Sequence, residues 1–186
     1  MPNWCSNRVT FGHTDPAMIR RVSAAVDGNE LFQTFVPVPA SLNITAGHLG
    51  DAAEQEKLEM LQDANRDSHG YKDWYDFCVS EWGTKWEATD IYIDTESGES
   101  IELMFDTAWA PPLGFYEKMI DLGFSVDAYY YEPGCAFVGH WDNGADDCYE
   151  IPGSAADVRD SIPEYLDDYF GISESMQEWE NENPQG

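Results

Sequence analysis

Thirty-six Asp and Glu side chains stand against nine Lys and Arg in 186 residues, a formal net charge of -27. Any fold must keep nearly all of those carboxylates in water. Like-charge repulsion destabilises a compact state, so the excess implies a solubility requirement, a cationic environment or a cationic partner. Nucleic acid and anionic membranes are excluded as direct partners by the same charge, since both are held through Lys and Arg. The chain still has material for a core. Hydrophobic residues make up 42% of it and aromatic residues 14%, which argues against disorder. The length fits one domain with appendages.

Total charge alone does not make a surface resemble DNA. At this length the compactness rule gives a globule on the order of 40 Å across, over which duplex DNA carries about 24 charges. The expected surface of roughly 9,000 Å² dilutes the net charge to about one per 330 Å², several-fold below a duplex. Imitation would require the acids to gather, and they do. Residues 119–186 hold sixteen Asp and Glu and a single base, Arg159, whereas the first 118 residues hold twenty acids and eight bases. This acidic region is patterned for helices. Ser154-x-x-Asp157, Ser161-x-x-Glu164 and Ser175-x-x-Glu178 each read as a capping box. Ile162, Tyr165, Leu166, Tyr169 and Phe170 follow at helical spacing, a stripe that predicts docking on a core. Glu164, Asp167 and Asp168 are then expected to face water, with Asp157 and Asp160 on a preceding short turn and Val158 facing the core. Residues 176–186 read as frayed.

The remainder reads as α+β. Alternation over residues 7–11 predicts a strand, and Asp15-Pro16 a capped helix that Gly28 stops. Phe32, Phe35 and Val36 lead into an extended Pro37-Val38-Pro39 crossover. Helical runs near residues 52–65 and 72–80 look like an insertion, at about 41–86. Ile91 and Ile93, then Ile101, Leu103 and Phe105, alternate around a Ser-Gly turn as a hairpin. Pro111-Pro112 opens a helix to about Leu122, and strands follow over 124–131, 135–141 and 148–151. Strand, helix, two strands, helix, strand is the split β-α-β, ferredoxin-like order. The expected organisation is a ferredoxin-like domain over 1–152 with a helical insertion and extra hairpin strands, then an acidic helical extension over 153–186.

Several segments are more distinctive than their composition. These are Met1-Pro2-Asn3-Trp4-Cys5-Ser6-Asn7-Arg8-Val9-Thr10, Val36-Pro37-Val38-Pro39, Asp73-Trp74-Tyr75-Asp76-Phe77, Glu81-Trp82-Gly83-Thr84-Lys85-Trp86, Phe105-Asp106-Thr107-Ala108-Trp109-Ala110-Pro111-Pro112, and Tyr130-Tyr131-Glu132-Pro133-Gly134 with Phe137 and Gly139. Together, over roughly residues 1–150, they resemble the YubB-type family of phage and plasmid proteins (Api-type phage proteins), described as carrying a ferredoxin-like domain. The resemblance implies a mobile-element origin. It carries no catalytic residues, and it does not reach the acidic C-terminal helices.

Catalytic signatures are absent from the sequence: no nucleophile elbow, phosphate-binding loop or dinucleotide fingerprint occurs. The acidic loop from His140 to Asp147 misses the calcium-loop spacing and reads as a hairpin turn. Cys5, Cys78, Cys135 and Cys148 lack paired spacing and read as reduced thiols in a cytoplasmic protein, and the first residues lack a signal-peptide pattern. No cofactor or metal is expected. The expected function is a non-catalytic counter-defence protein. Its acids would mimic DNA and occupy the nucleic-acid groove of a basic host complex of restriction or CRISPR type. Its contacts would be Asp157, Asp160, Glu164, Asp167, Asp168, Glu174 and Glu178. The alternative is a protein-binding module using Trp82, Gly83, Thr84, Lys85 and Trp86, with the charge only solubilising. There Trp82 and Trp86 could equally be core residues, with Lys85 pairing Asp90 or Asp106, and Trp4 and Trp109 read as apolar anchors between sheet and helices. Salt adaptation is a further account of the charge, as only four lysines are present.

Overall fold

Alternating burial along residues 4–12 divides the molecule into its layers: Cys5, Asn7, Val9 and Phe11 point to one side of the sheet, and Trp4, Ser6, Arg8 and Thr10 to the other. The computed structural model describes residues 3–183. Met1, Pro2 and residues 184–186, at the ends of the two expected units, lie outside them. Six antiparallel strands form one open sheet in the order β2-β3-β1-β4-β5-β6. They are β1 (Trp4–Gly12), β2 (Thr89–Glu96), β3 (Ser100–Ala108), β4 (Ser125–Glu132), β5 (Phe137–Asp142) and β6 (Ala145–Glu150). Both edge strands carry acids, Asp90, Asp94 and Glu96 on β2 and Asp146, Asp147 and Glu150 on β6. Charge on an edge blocks pairing with another chain.

One face of the sheet holds the main core. Helix α1 (Pro16–Asp27) begins where Asp15 Oδ1 accepts the Ala17 N–H at 2.8 Å, and it buries Ile19, Val22, Ala25 and Val26. The short helix α2 (Leu31–Phe35), which the sequence did not announce, precedes the Pro37-Val38-Pro39 segment, and Glu87 accepts the Phe32 and Gln33 N–H groups at its start. Helices α3 (Ala52–His69) and α4 (Trp74–Glu81) make up the insertion; Asp51 and Asp73 cap them. Helix α5 (Leu113–Asp121) contributes Phe115, Tyr116 and Met119 to the same core, against Val9, Phe11, Leu103 and Val126.

The opposite face is covered at its β4–β6 end by three short helices, α6 (Ala155–Ser161), α7 (Glu164–Phe170) and α8 (Ile172–Glu182). A second core joins Val158, Ile162, Leu166 and Ile172 to Val138, with Tyr129, Tyr131 and Tyr149 beneath. Of the three expected capping boxes only the first acts as a cap, through its serine, with the Asp157 carboxylate taking the serine hydroxyl and not the Ser154 backbone N–H. Ser154 Oγ accepts the Asp157 N–H at 3.2 Å and donates to the Asp157 carboxylate at 2.7 Å. Asp157 and Asp160 thus lie on a helix, not on a turn.

The other two boxes are overturned. Ser161 is the last residue of α6, since Pro163 pushes Ile162 into extended backbone and α7 cannot begin before Glu164. Ser175 lies inside α8. Gly171, left-handed at φ 62°, ends α7 and lets α8 start at Ile172, so Met176 to Glu182 is helical and not frayed. Splitting the stripe also changes its burial: Ile162 and Leu166 are buried, while Tyr165 and Tyr169 stay 46% and 38% exposed. Tyr169 instead stacks on Tyr129, ring centres 4.9 Å apart.

Candidate functional site

Two regions carry the residues singled out in the sequence. In the acidic layer Asp157, Asp160, Glu164, Asp168, Glu174 and Glu178 are exposed. Asp167 is not: it is 8% exposed, and its Oδ1 accepts the Ser173 N–H at 2.7 Å. Because Gly171 offers no side chain to cap α8, Asp167 reaches back from α7 to do so, and the expectation that it faces water is corrected. Glu164, Asp167 and Asp168 border one depression of about 320 Å³ together with Arg159. Glu174, Glu178 and Glu182 repeat every four residues along α8, all exposed, at about 6 Å per step. Glu180 turns inward and accepts the Ala155 N–H at 2.9 Å, tying α8 to the start of α6.

The second region gathers segments far apart in the chain. Trp82 is core, 4% exposed, with its indole N–H donated to the Val36 carbonyl at 2.9 Å. Gly83 has φ 85°, and a Cβ there would sit 2.9 Å from the Leu113 backbone nitrogen, so only glycine fits. Thr84 is buried and donates to the Ala108 carbonyl at 3.0 Å. Those three residues are structural. Lys85 and Trp86 emerge. Among the described residues Lys85 forms no ion pair, neither with Asp90 nor with Asp106. Its Nζ lies 3.8 Å from the Trp86 ring centre and 3.7 Å from that of Trp109, a cation–π sandwich.

Trp4 and Trp109 are not interface anchors but are 37% and 43% exposed. Trp4 flanks Trp86, with 6.4 Å between ring centres. Trp109 holds a left-handed backbone, φ 72°, rarely adopted by a bulky residue, and this turn swings its indole over Lys85.

Beside the sandwich lies a cleft of about 480 Å³, whose lining includes Gln33, Val38, Trp74, Trp82, Lys85, Trp86 and Glu87. Glu87 is already engaged: its oxygens accept the N–H groups of Phe32 at 2.8 Å, Gln33 at 3.0 Å and Ala88 at 3.1 Å. Burial raises its pKa, and these three donors oppose the rise. The thiol of Cys78, also on the lining, is pushed up to about 12 by burial and is inert as a nucleophile. Gln33, Trp74 and Glu87 were missed in the sequence. The one signal was Trp74 within the Asp73–Phe77 segment; Gln33 and Glu87 meet only through the fold. No group of three or more potential ligands able to hold a metal occurs among the described residues. No helix among them is long and apolar enough to cross a membrane.

No protein-family model matches the chain, and no curated protein matches it. It is similar to the crystal structure of a protein api92 from Yersinia pseudotuberculosis, family-model DUF1281, at 11% identity and a TM-score of 0.44. That likeness covers 82% of this chain and 99% of the other.

Proposed function

We propose that this protein is a non-catalytic DNA mimic of mobile-element origin, which occupies the nucleic-acid groove of a basic host defence complex of restriction or CRISPR type. The observation that carries the reading is the exposed row of Glu174, Glu178 and Glu182 on α8, together with exposed Glu164 and Asp168 on α7, which share a depression with the single base Arg159. Residues 142–182 contain thirteen acids and one base, Arg159. Among the described residues no base forms an ion pair with the row. Arg8 is held by Asp94 and Glu102, Arg66 by Asp63, Lys72 by Asp76 and Lys118 by Glu81. Spaced about 6 Å apart, such carboxylates can take the Lys and Arg positions that phosphates would otherwise fill.

Two further readings support that origin. The strand order β2-β3-β1-β4, with α1 and α5 packed into one core on one face, supports a ferredoxin-like split β-α-β unit extended by β5 and β6. The segments that resemble the YubB-type family also converge in space: Trp4 meets Trp86, Lys85 meets Trp109, and the Thr84 hydroxyl donates to the Ala108 carbonyl.

Displacement of a fluorescent duplex from a purified restriction or CRISPR effector tests the proposal. The native protein should displace the duplex, and less effectively as salt rises. The variant carrying Glu164→Gln, Asp168→Asn, Glu174→Gln, Glu178→Gln and Glu182→Gln keeps Asp167 and should fold but fail to compete. Equal displacement by that variant would falsify the acidic-layer assignment.

A further inference from the structure

Apart from the exposed Asn43 amide, which can donate or accept, the side-chain groups left free in the cleft beside Lys85 are donors. Glu87 spends both oxygens on three backbone N–H groups. The Gln33 side-chain carbonyl accepts the Val38 N–H at 3.1 Å, which leaves its amide N–H₂ to donate. The Trp82 indole N–H is committed to Val36, whereas those of Trp74 and Trp86 have no acceptor among the described residues. Lys85 carries an ammonium with three donors and no acceptor, and among the described residues it lies over two indole faces and forms no ion pair. In a chain of thirty-six acids, this cleft holds one carboxylate, Glu87, already bonded to the backbone, and offers donors and a cation against aromatic walls.

From this inventory we infer that the cleft is a binding site for a small planar aromatic carboxylate, its ring against Trp74 and Trp86 and its carboxylate on Lys85 Nζ and Gln33 Nε2. The cleft's volume of about 480 Å³ lies in the range of small-molecule sites, roughly 300–1,000 Å³. Donors already in place and partly shielded from water bind an acceptor without first breaking an internal ion pair. Trp109, which is not on the lining, contributes through Lys85: its left-handed backbone holds the indole on which the Lys85 ammonium rests. The site is separate from the acidic layer, so its fate does not depend on the mimicry reading.

Isothermal titration with 2-naphthoate and its neutral analogue 2-naphthamide tests the inference on the whole protein. Naphthoate should bind one saturable site per chain, and the amide at least about tenfold more weakly, the cost of losing one charge-assisted hydrogen bond. Lys85→Met keeps the stem on Trp86 and removes the charge; it should bring naphthoate down to the level of the amide, while Lys85→Arg should retain binding. Absence of saturable binding at millimolar probe overturns the site, as does an amide that binds as well as the acid. Unchanged naphthoate affinity in a folded Lys85→Met protein overturns the role of Lys85. Should that variant fail to fold by near-ultraviolet circular dichroism, the acid–amide comparison on the native chain decides alone.

Discussion

The Asp167 carboxylate accepts the Ser173 N–H at 2.7 Å across Gly171, so one of the residues most readily taken for surface charge is the cap of the following helix. Its neighbour Asp168 is exposed. Two adjacent aspartates on one short helix therefore do unrelated work: one positions α8, the other contributes to the outward field.

The two roles separate in a stability measurement. Asp167→Ala removes a cap from a buried N–H and should cost about 1–2 kcal/mol. Asp168→Ala removes an exposed like charge and should fall within about 0.5 kcal/mol of the native protein. Urea unfolding monitored by circular dichroism distinguishes them, and equal effects would mean that Asp167 does not cap α8.

How far the sequence revealed this arrangement depends on the kind of signal. Strands β1 and β3 and helix α1 were legible because period-2 burial and the Asp15-Pro16 cap are local. Three Ser-x-x-acid patterns looked alike; Pro163, inside the second box, and Gly171, four residues before the third, decided which would act through backbone geometry. The tryptophans failed for another reason. An indole suits a core as well as a surface, and Trp109 reaches Lys85 through a φ of 72° that no non-glycine residue announces. Of the acidic candidates, six were placed correctly at the surface and Asp167 was not, since its acceptor role requires knowing where Ser173 lies.

Gly83 is the least replaceable residue of the tryptophan segment. Alanine there combines left-handed strain with a Cβ at 2.9 Å from the backbone nitrogen of Leu113, which is not free to move because Leu113 begins α5. Gly83→Ala should cost about 2–4 kcal/mol in a urea titration, the sum of backbone strain and overpacking. A loss below about 0.5 kcal/mol, the range of ordinary surface substitutions, would show that the turn relaxes freely.

Glu81 gives the fold an acid-sensitive link between α4 and α5. A hydrogen bond from the Tyr71 hydroxyl, then Lys118 Nζ at 3.2 Å, lowers its pKa below the ordinary 4.5. A carboxylate lowered by folding stabilises the native state fully above its unfolded pKa, and that stabilisation is lost as pH falls through the folded value. The melting temperature of the native protein should therefore exceed that of Glu81→Gln at neutral pH, with the gap closing below about pH 4.5. A gap that persists undiminished at lower pH would assign the effect to shape and not to charge.

The acidic layer should make stability respond to salt. Exposed carboxylates repel over a Debye length of about 30 Å at 0.01 M salt but only about 10 Å at 0.1 M. Among the described residues the acids of α6–α8 have no basic ion-pair partner, so screening should relieve repulsion there more than it weakens attraction. The melting temperature should rise as sodium chloride is added across that range. The Glu164→Gln, Asp168→Asn, Glu174→Gln, Glu178→Gln and Glu182→Gln variant should start higher and rise less, because fewer repelling pairs remain. A flat native response would mean that the acids are locally paired and not repelling, and a row compensated in that way could not stand in for phosphates either.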